Sequence, residues 1–502
     1  MDIFNNILTA LPLIFSVNVI IAMVIGTTVG IMVGALPGLS ATMGIAVLIP
    51  LTFTMEPLVA LGMVAGIYNG AMYGGSIPAI LLRIPGTPAG IATVFDGYPM
   101  AQKGQAPLAL KISLVSSAIG SAVSAIALLA LAPPLAAIAL KFSPADYFWL
   151  ALFGMTAIAV LLSSNPVKGL LSTCLGLVVG IVGIDAMTGA ERFSFGNIEL
   201  LSGINIIVLL TGLFAIPPAI DLAINSMTSQ KGAKLDKVQE KVRWRSFIPV
   251  WIKSSILGVV VGIIPALGGN IAAVLAWNEQ RRSDPDNDRY GKGEPKGVAA
   301  PECANNADTA ATLIPALTLG IPGSAVAAVI LGALLVHGLR PGPQLFRDDP
   351  EIVFGFMLSM LVTAILMFVI GRLGARAFVH VLKAPPALLA PMIISLAVVG
   401  IYSIHNSMFE VWLMLGFGLL GFGMERLGIP TAPAVLAVIL GPMAEESLRR
   451  ALLISGGSFD YLVQSWISWI IITMIAVTVL VPIWKRFKKQ RTSRGSNGPS
   501  PQ

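Results

Sequence analysis

Asn69 and Asn306 stand 237 residues apart, and the residues after each repeat the same pattern. Ile77-Pro78-Ala79 and Ile84-Pro85-Gly86-Thr87 return as Ile314-Pro315-Ala316 and Ile321-Pro322-Gly323-Ser324, at one constant offset and without a gap. A Pro-Gly turn followed by a hydroxyl exposes backbone amides and one O–H. That set can clamp a carboxylate without a fixed positive charge. A nearby side-chain amide offers its carbonyl oxygen to a monovalent cation. In lipid, such an interruption is tolerated only where protein buries it or a wet cavity meets it.

Two further breaks lie upstream of the doubled segment. Gly30 to Pro37 matches Gly258 to Pro265 at an offset of 228 residues. Pro37-Gly38 with Ser40 follows in the first copy, and Pro265 with Gly268-Gly269 in the second. Proline removes a helix donor, and glycine permits the excursion after it. The freed half-helix then presents amide donors and a positive dipole end to an anion. Tyr73-Gly74-Gly75-Ser76 supplies an aromatic lid candidate, bare backbone and a hydroxyl. Asn305, Asn306, Glu302 and Asp308 form the polar cluster of the second copy, and ionisable groups inside spans are costly and usually face a cavity. The competing reading makes the breaks packing kinks, the Pro-Gly turns surface turns, and the Asn and Ser side chains interhelical bonds. The pairing of the breaks, the turns and Asn69 with Asn306 favours the site reading there, whereas Glu302, just after the hydrophilic loop, reads better as an interfacial residue.

Composition frames these motifs. The 502 residues are 56% hydrophobic and 11% charged, against about 25% charged in a soluble domain. Apolar runs long enough to span lipid recur along the chain, Ile112–Leu140 and Ile352–Ile370 among them. The expected fold is an all-α polytopic membrane protein of about 12 transmembrane helices, with re-entrant or broken-helix hairpins. The net charge of +7 concentrates in 231–253 and in the tail 485–494. Cytoplasmic anchoring explains that pattern better than nucleic-acid binding. Cys174 and Cys303 fit no metal spacing and read as small packing residues. No cleavable signal peptide is read at the first residues.

The expected organisation is a first membrane repeat at 1–226, a basic cytoplasmic linker at 227–245 and a second repeat at 246–460. An extra helix at 461–485 and a basic, disordered cytoplasmic tail at 486–502 complete it. A third matched block, Leu175-Gly176 with Leu415-Gly416, keeps the order. With linker and tail both cytoplasmic, the second half crosses an odd number of times, so the repeats are inverted and the N-terminus is periplasmic. Asp185 and Glu425 read as solvated helix caps, and Asp96 in Asp96-Gly97-Tyr98-Pro99 as a loop turn. His337, His380 and His405 are scattered, and no catalytic triad, zinc motif, Walker loop or Rossmann fingerprint occurs, so no enzyme activity and no cofactor are expected.

Several motifs are specific enough to carry a resemblance. They are Gly34–Leu39, Tyr73–Ile77 running into Ile84–Thr87, Asp96–Pro99, Pro301–Ala307, Leu319–Gly323 and His337–Pro343. Over nearly the whole length the chain resembles the large membrane subunit of the bacterial tripartite tricarboxylate transporters. The resemblance implies a secondary transporter of the inner membrane that imports carboxylates on a Na⁺ or H⁺ gradient. It also implies a periplasmic solute-binding protein and a small four-helix membrane subunit as partners. A passive organic-anion channel is the alternative. Arg83, Ala266, Trp277-Asn278, Asp308 and Ala310-Ala311 depart from the family pattern, so this chain's own specificity is expected there.

Overall fold

The computed structural model describes residues 3–161, 165–185, 187–224, 242–265, 268–382 and 386–495. The helices of the first half are α1 Ile3–Ile14, α2 Val17–Ala35, α3 Ala41–Thr52, α4 Pro57–Gly74, α5 Ser76–Leu82, α6 Ile91–Gln102, α7 Ala106–Ala139, α8 Pro144–Leu161, α9 Pro166–Gly180 and α10 Ile206–Ile224. Those of the second half begin with α11 Ile248–Ile263, α12 Gly268–Ser283, α13 Pro295–Ala311, α14 Leu313–Leu319, α15 Ala325–Val336 and α16 Leu345–Asp348. Then come α17 Pro350–Val381, α18 Pro386–His405, α19 Met408–Arg426, α20 Ala432–Ile454 and α21 Trp466–Gly495. One two-residue antiparallel ladder, β1 Gly183–Ile184 on β2 Glu191–Arg192, interrupts them.

Nine helices among the described residues are long and apolar enough to cross a membrane, and five shorter apolar helices of 10–17 residues accompany them. The chain is therefore an all-α, multi-pass membrane protein. It divides into two compact units, Met1–Leu140 with Ile204–Leu427, and Lys141–Gly203 with Gly428–Gln502. Each unit draws on both halves of the sequence.

In the first unit, α2 lies along α4 on facing glycine rows. A Cβ built on Gly30 would stand 2.5 Å from the Ile67 carbonyl oxygen, and one on Gly70 2.5 Å from that of Thr27. Small residues every fourth position let two backbones touch, which drives helix association in lipid where no hydrophobic force exists. The helix α13 is the centre of this unit. It is buried from Gly297 to Ala311 although it carries Glu302, Asn305, Asn306, Asp308 and Thr309. Helices α7, α11 and α12 surround it.

In the second unit, α20 packs on α8 and α9. The β1–β2 hairpin is tied to α20 by Arg449, which bonds Asp185 at 2.8 Å and Glu445 at 2.6 Å. Arg192 also pairs with both carboxylates. The Met187 amide, the Thr188 hydroxyl and the two guanidiniums hold the Asp185 carboxyl well below the usual range. Asp185 is thus an ion-paired anchor of a hairpin, where a solvated helix cap was expected.

Two other expectations change. The basic stretch after 485 continues α21 as helix to Gly495, because Lys, Arg and Gln are good helix formers and extend the apolar run before them. Residues 496–502 lie outside the described residues, as does the linker expected at 227–245 up to residue 241. Cys303 is buried as expected, whereas Cys174 is exposed.

The contact between α2 and α4 generates a direct prediction. Gly30→Leu forces a side chain into the Ile67 backbone and should abolish the monodisperse peak in size-exclusion chromatography, since overpacking costs about 1–3 kcal/mol even where neighbours can shift. Gly416→Leu, at a position with open space around it, should keep that peak.

Candidate functional site

The two doubled segments fold the same way down to individual hydrogen bonds. Each forms a seven-residue helix, α5 or α14, that ends on a left-handed residue: Arg83 at φ 60 and Gly320 at φ 72. The chain then turns back. The Ile84 amide bonds the Pro78 carbonyl at 3.4 Å, and Ile321 bonds Pro315 at 3.2 Å. Gly86 donates to the Gly75 carbonyl at 3.1 Å, and Gly323 to that of Thr312 at 3.3 Å. These bonds satisfy the backbone that the prolines and turns release.

Each Pro-Gly turn also rests on the break of its own half. A Cβ on Gly86 would lie 2.3 Å from the Gly34 carbonyl oxygen, and one on Gly323 2.8 Å from the Gly262 carbonyl oxygen. Gly34 and Gly262 are the residues three before Pro37 and Pro265. After each break a half-helix restarts. Gly38 takes φ 88, and the Ser40 hydroxyl caps α3 by accepting from the Met43 amide at 3.2 Å. Gly268 takes φ 61 and opens α12 with Gly269. Ser324 caps α15 by accepting from the Ala327 amide at 3.2 Å. A Cβ on Gly268 would stand 4.0 Å from the Ser324 Cβ, so the N-termini of α12 and α15 lie side by side. Two helix N-termini together form an anion-attracting surface.

The helices that follow the breaks carry the two copies into contact. The half-helix α12 packs on the Pro88–Gly90 turn after Thr87, and α3 packs on α15 after Ser324. Ala89, Ala92, Ala273, Trp277 and Tyr290 form the apolar cluster of the first of these contacts.

The polar residues sort into satisfied and unsatisfied groups. Asn69 is buried and fully bonded. Its amide donates to the Met360 carbonyl at 3.0 Å and to the Thr363 hydroxyl at 2.8 Å, while its oxygen accepts from Ser121 and Thr309. Ser121 in turn accepts from the Asn306 amide at 3.0 Å, so one hydroxyl joins the repeat-related asparagines. Glu302 sits among hydroxyls: Thr93 donates to one oxygen, and Ser113 at 3.2 Å and Ser117 at 3.1 Å to the other. The Ser113 hydroxyl also lies 2.7 Å from Ser76 Oγ, which donates to the Tyr73 carbonyl, so the one Ser113 proton is shared between Ser76 and Glu302. By contrast, among the described residues Thr87 Oγ1, Asn305 Oδ1, Asn306 Oδ1 and Asp308 Oδ1 are buried with no hydrogen-bond partner, as is His337 Nε2. The four oxygens lie in or beside the doubled motif.

Some residues stand elsewhere than the sequence alone placed them. Tyr73 is 2% exposed within the apolar core, beside Ile31, Ala35 and Ile77, and is no lid over a turn. Gly74 faces the Ile31 carbonyl on α2, a packing position. Gly75 meets Thr87, and Pro85 and Pro322 hold their turns next to Gly86 and Gly323. Ala266 lies outside the described residues.

Asp96 overturns its reading as a loop turn. It is fully buried in α6 and accepts from the Gly291, Gly293 and Glu294 amides at 2.8 to 2.9 Å and from the Trp277 indole at 2.8 Å. The helix continues through Pro99, and Asp96 fastens the hydrophilic segment between α12 and α13. The serines of α7 were also missed. Ser113, Ser117, Ser121 and Ser124 recur at spacings of four, four and three in an apolar span, which places them on one face. That stripe was the available signal.

The sequence matches the family described as Tripartite tricarboxylate transporter TctA family over residues 20–436. It is similar to an uncharacterized 52.8 kDa protein in the TAR-I ttuC' 3' region of Agrobacterium vitis, at 34% identity over 493 residues, covering 98% of each chain. It is also similar to an uncharacterized protein in the TAR-II ttuC' 3' region of the same organism, at 33% identity over 234 residues, which are 47% of this chain and 97% of that one. No solved structure matches the chain.

The Asp96 contacts predict a measurable latch. Asp96→Ala removes three charge-assisted amide bonds, each worth about 1.5–3 kcal/mol. Hydrogen exchange at Gly291, Gly293 and Glu294 should accelerate by about tenfold or more, while exchange in α2 stays unchanged.

Proposed function

The chain belongs to the Tripartite tricarboxylate transporter TctA family, and from that premise we propose that it is the membrane subunit of an ion-gradient-driven importer of small carboxylates. In this reading it lies in the bacterial inner membrane with a cytoplasmic C-terminus and a periplasmic N-terminus. A periplasmic solute-binding protein delivers the substrate, and a small four-helix membrane subunit completes the system. The two halves are inverted repeats, and their paired Pro-Gly turns alternate in access to either side.

One observation carries the proposal: the buried oxygens without partners gather on the doubled segments, which share one hydrogen-bond pattern. Unsatisfied groups at this depth are costly, so they mark places that a ligand completes. The adjacent N-termini at Gly268 and Ser324 and the free Thr87 hydroxyl are donors suited to carboxylates. Substrate carboxylates are assigned to the turns Pro85-Gly86-Thr87 and Pro322-Gly323-Ser324 and to the half-helix starts at Pro37, Gly38, Ser40 and Pro265, Gly268, Gly269. Asn305, Asn306 and Asp308 are assigned to the coupling ion. Asn69 and Glu302, whose hydrogen bonds are filled from within the protein, position that group.

Arg83 is this chain's own contribution to substrate choice. It is exposed at the first turn, with its guanidinium 5.9 Å from the Tyr98 ring centre and no ion pair among the described residues. It holds a left-handed conformation where the second copy uses Gly320, a strain on the order of 1 kcal/mol. A side chain kept at that cost is assigned to attracting the anion.

Uptake of labelled di- and tricarboxylates into proteoliposomes containing the chain, the small subunit and the binding protein tests the proposal. Uptake should require both the binding protein and an imposed cation gradient. Equal flux without either would make the chain a passive channel. In the same assay Arg83→Gly should raise KM about tenfold, the loss of one charged hydrogen bond, with a melting temperature equal to or above that of the wild type. An unchanged KM would remove Arg83 from substrate recognition.

A further inference from the structure

The two buried carboxylates of α13 differ in a way that separates their roles. Glu302 accepts at both oxygens, from Thr93 at one and from Ser117 at the other, with Ser113 also in reach. Asp308 is 1% exposed, forms no ion pair among the described residues, and leaves Oδ1 without a donor. One helical turn earlier on the same helix, Asn305 is 2% exposed and its Oδ1 is also without a donor. Both side chains point at the break between α11 and α12. A Cβ on Gly269 would stand 2.7 Å from Asn305 Oδ1 and 3.2 Å from Asp308 Oδ2. A Cβ on Gly262 would stand 3.0 Å from Asp308 Oδ1. A side chain at either glycine would collide with these oxygens.

These oxygens lie beside two half-helix ends, Gly262 in the last turn of α11 and Gly269 at the start of α12. The start of α12 at Gly269 lies against the Asp308 carboxylate, on its Oδ2 side. The opposite side is the last turn of α11, whose carbonyl end carries partial negative charge. Asp308 Oδ1, Asn305 Oδ1 and that helix end therefore place three sources of negative potential together in a membrane interior. Protonation of Asp308 would neutralise the carboxylate without supplying a partner for Asn305 Oδ1. A metal cation answers all three at once, and a single carboxylate matches a single positive charge.

We propose that Asp308 and Asn305 form a monovalent metal cation site, occupied by Na⁺, against Gly262 of α11 and Gly269 of α12. The proposal rests on the ion-driven reading of the chain and adds the ion's identity and its place. The first copy has Met72 where Asn306-offset symmetry would demand Thr309, and Ala71 in place of Asp308. The carboxylate is thus present in one copy alone, which gives one such site per chain.

The test is equilibrium binding of ²²Na⁺ to the purified full chain in nanodiscs without substrate, so that transport plays no part in the readout. Saturable binding is expected, displaced by unlabelled Na⁺ and not by choline. Asp308→Asn, close to isosteric, and Asn305→Leu should each weaken it about tenfold or more. Glu425→Gln, at an exposed acid on α19, should leave it unchanged. A second measurement guards against misfolding: Na⁺ in place of choline should raise the wild-type melting temperature by mass action and leave that of Asp308→Asn unmoved. Wild-type binding by Asp308→Asn, or none by the wild type above empty nanodiscs, would overturn the site. If Asp308-dependent binding is found while uptake ignores the Na⁺ gradient, the site stands and the ion-driven reading fails. If uptake is driven by Na⁺ while Asp308→Asn binds normally, the reading stands and this site fails.

Discussion

A helix interrupted inside a bilayer has no water to satisfy its loose backbone groups, and the rest of this structure follows from how the chain meets that requirement. The break after α2 and the break after α11 are each covered by a Pro-Gly turn from the same half, with the turn glycine against a carbonyl three residues before the break proline. The turn amides return to Gly75 and Thr312, which begin the short helices leading into the turns. The closure needs close backbone approach, and the glycine rows of α2 and α4 provide it. Covering a break this way leaves amides and carbonyls beside a gap, which is a place for an ion or a carboxylate.

Around those gaps the polar side chains form a nearly complete economy. The hydroxyl stripe of α7 serves the buried face of α13: Ser113 and Ser117 bond Glu302, Ser121 joins Asn69 to Asn306, and Ser124 accepts from the Ala311 amide at 2.9 Å. Such networks are strong when complete and costly when not. The oxygens left out, on Thr87, Asn305, Asn306 and Asp308, therefore stand out against a well-bonded background. The contrast between Glu302 and Asp308, two carboxylates on one helix with opposite bonding, supports assigning the first to positioning and the second to an ion.

The duplication and the all-helical membrane fold were legible in the residues themselves, because a gapless repeat of prolines and glycines and long apolar runs are local properties. The hairpin hydrogen bonds repeat at the same offset of 237 residues that the sequence shows. What was not legible depended on distant partners. Asp96 in an Asp-Gly-Tyr-Pro stretch has turn chemistry, yet its four donors lie 181 to 198 residues away. Tyr73 next to two glycines looks exposed, but Gly74 packs on α2 and Gly75 on Thr87, and Tyr73 lies buried in the apolar core. Asp185 beside a helix end looks solvated until Arg449 arrives from another helix. In each case a tertiary partner overrode what the local pattern suggested.

The central claim is that the two doubled turns exist to hold ligand. A cryo-EM map of the full chain in nanodiscs with a bound tricarboxylate and Na⁺ tests it most directly. The account predicts substrate density against the Thr87 or Ser324 turns and the α12 and α15 N-termini. Density confined to another part of the protein, with both turns unchanged and empty, would contradict it.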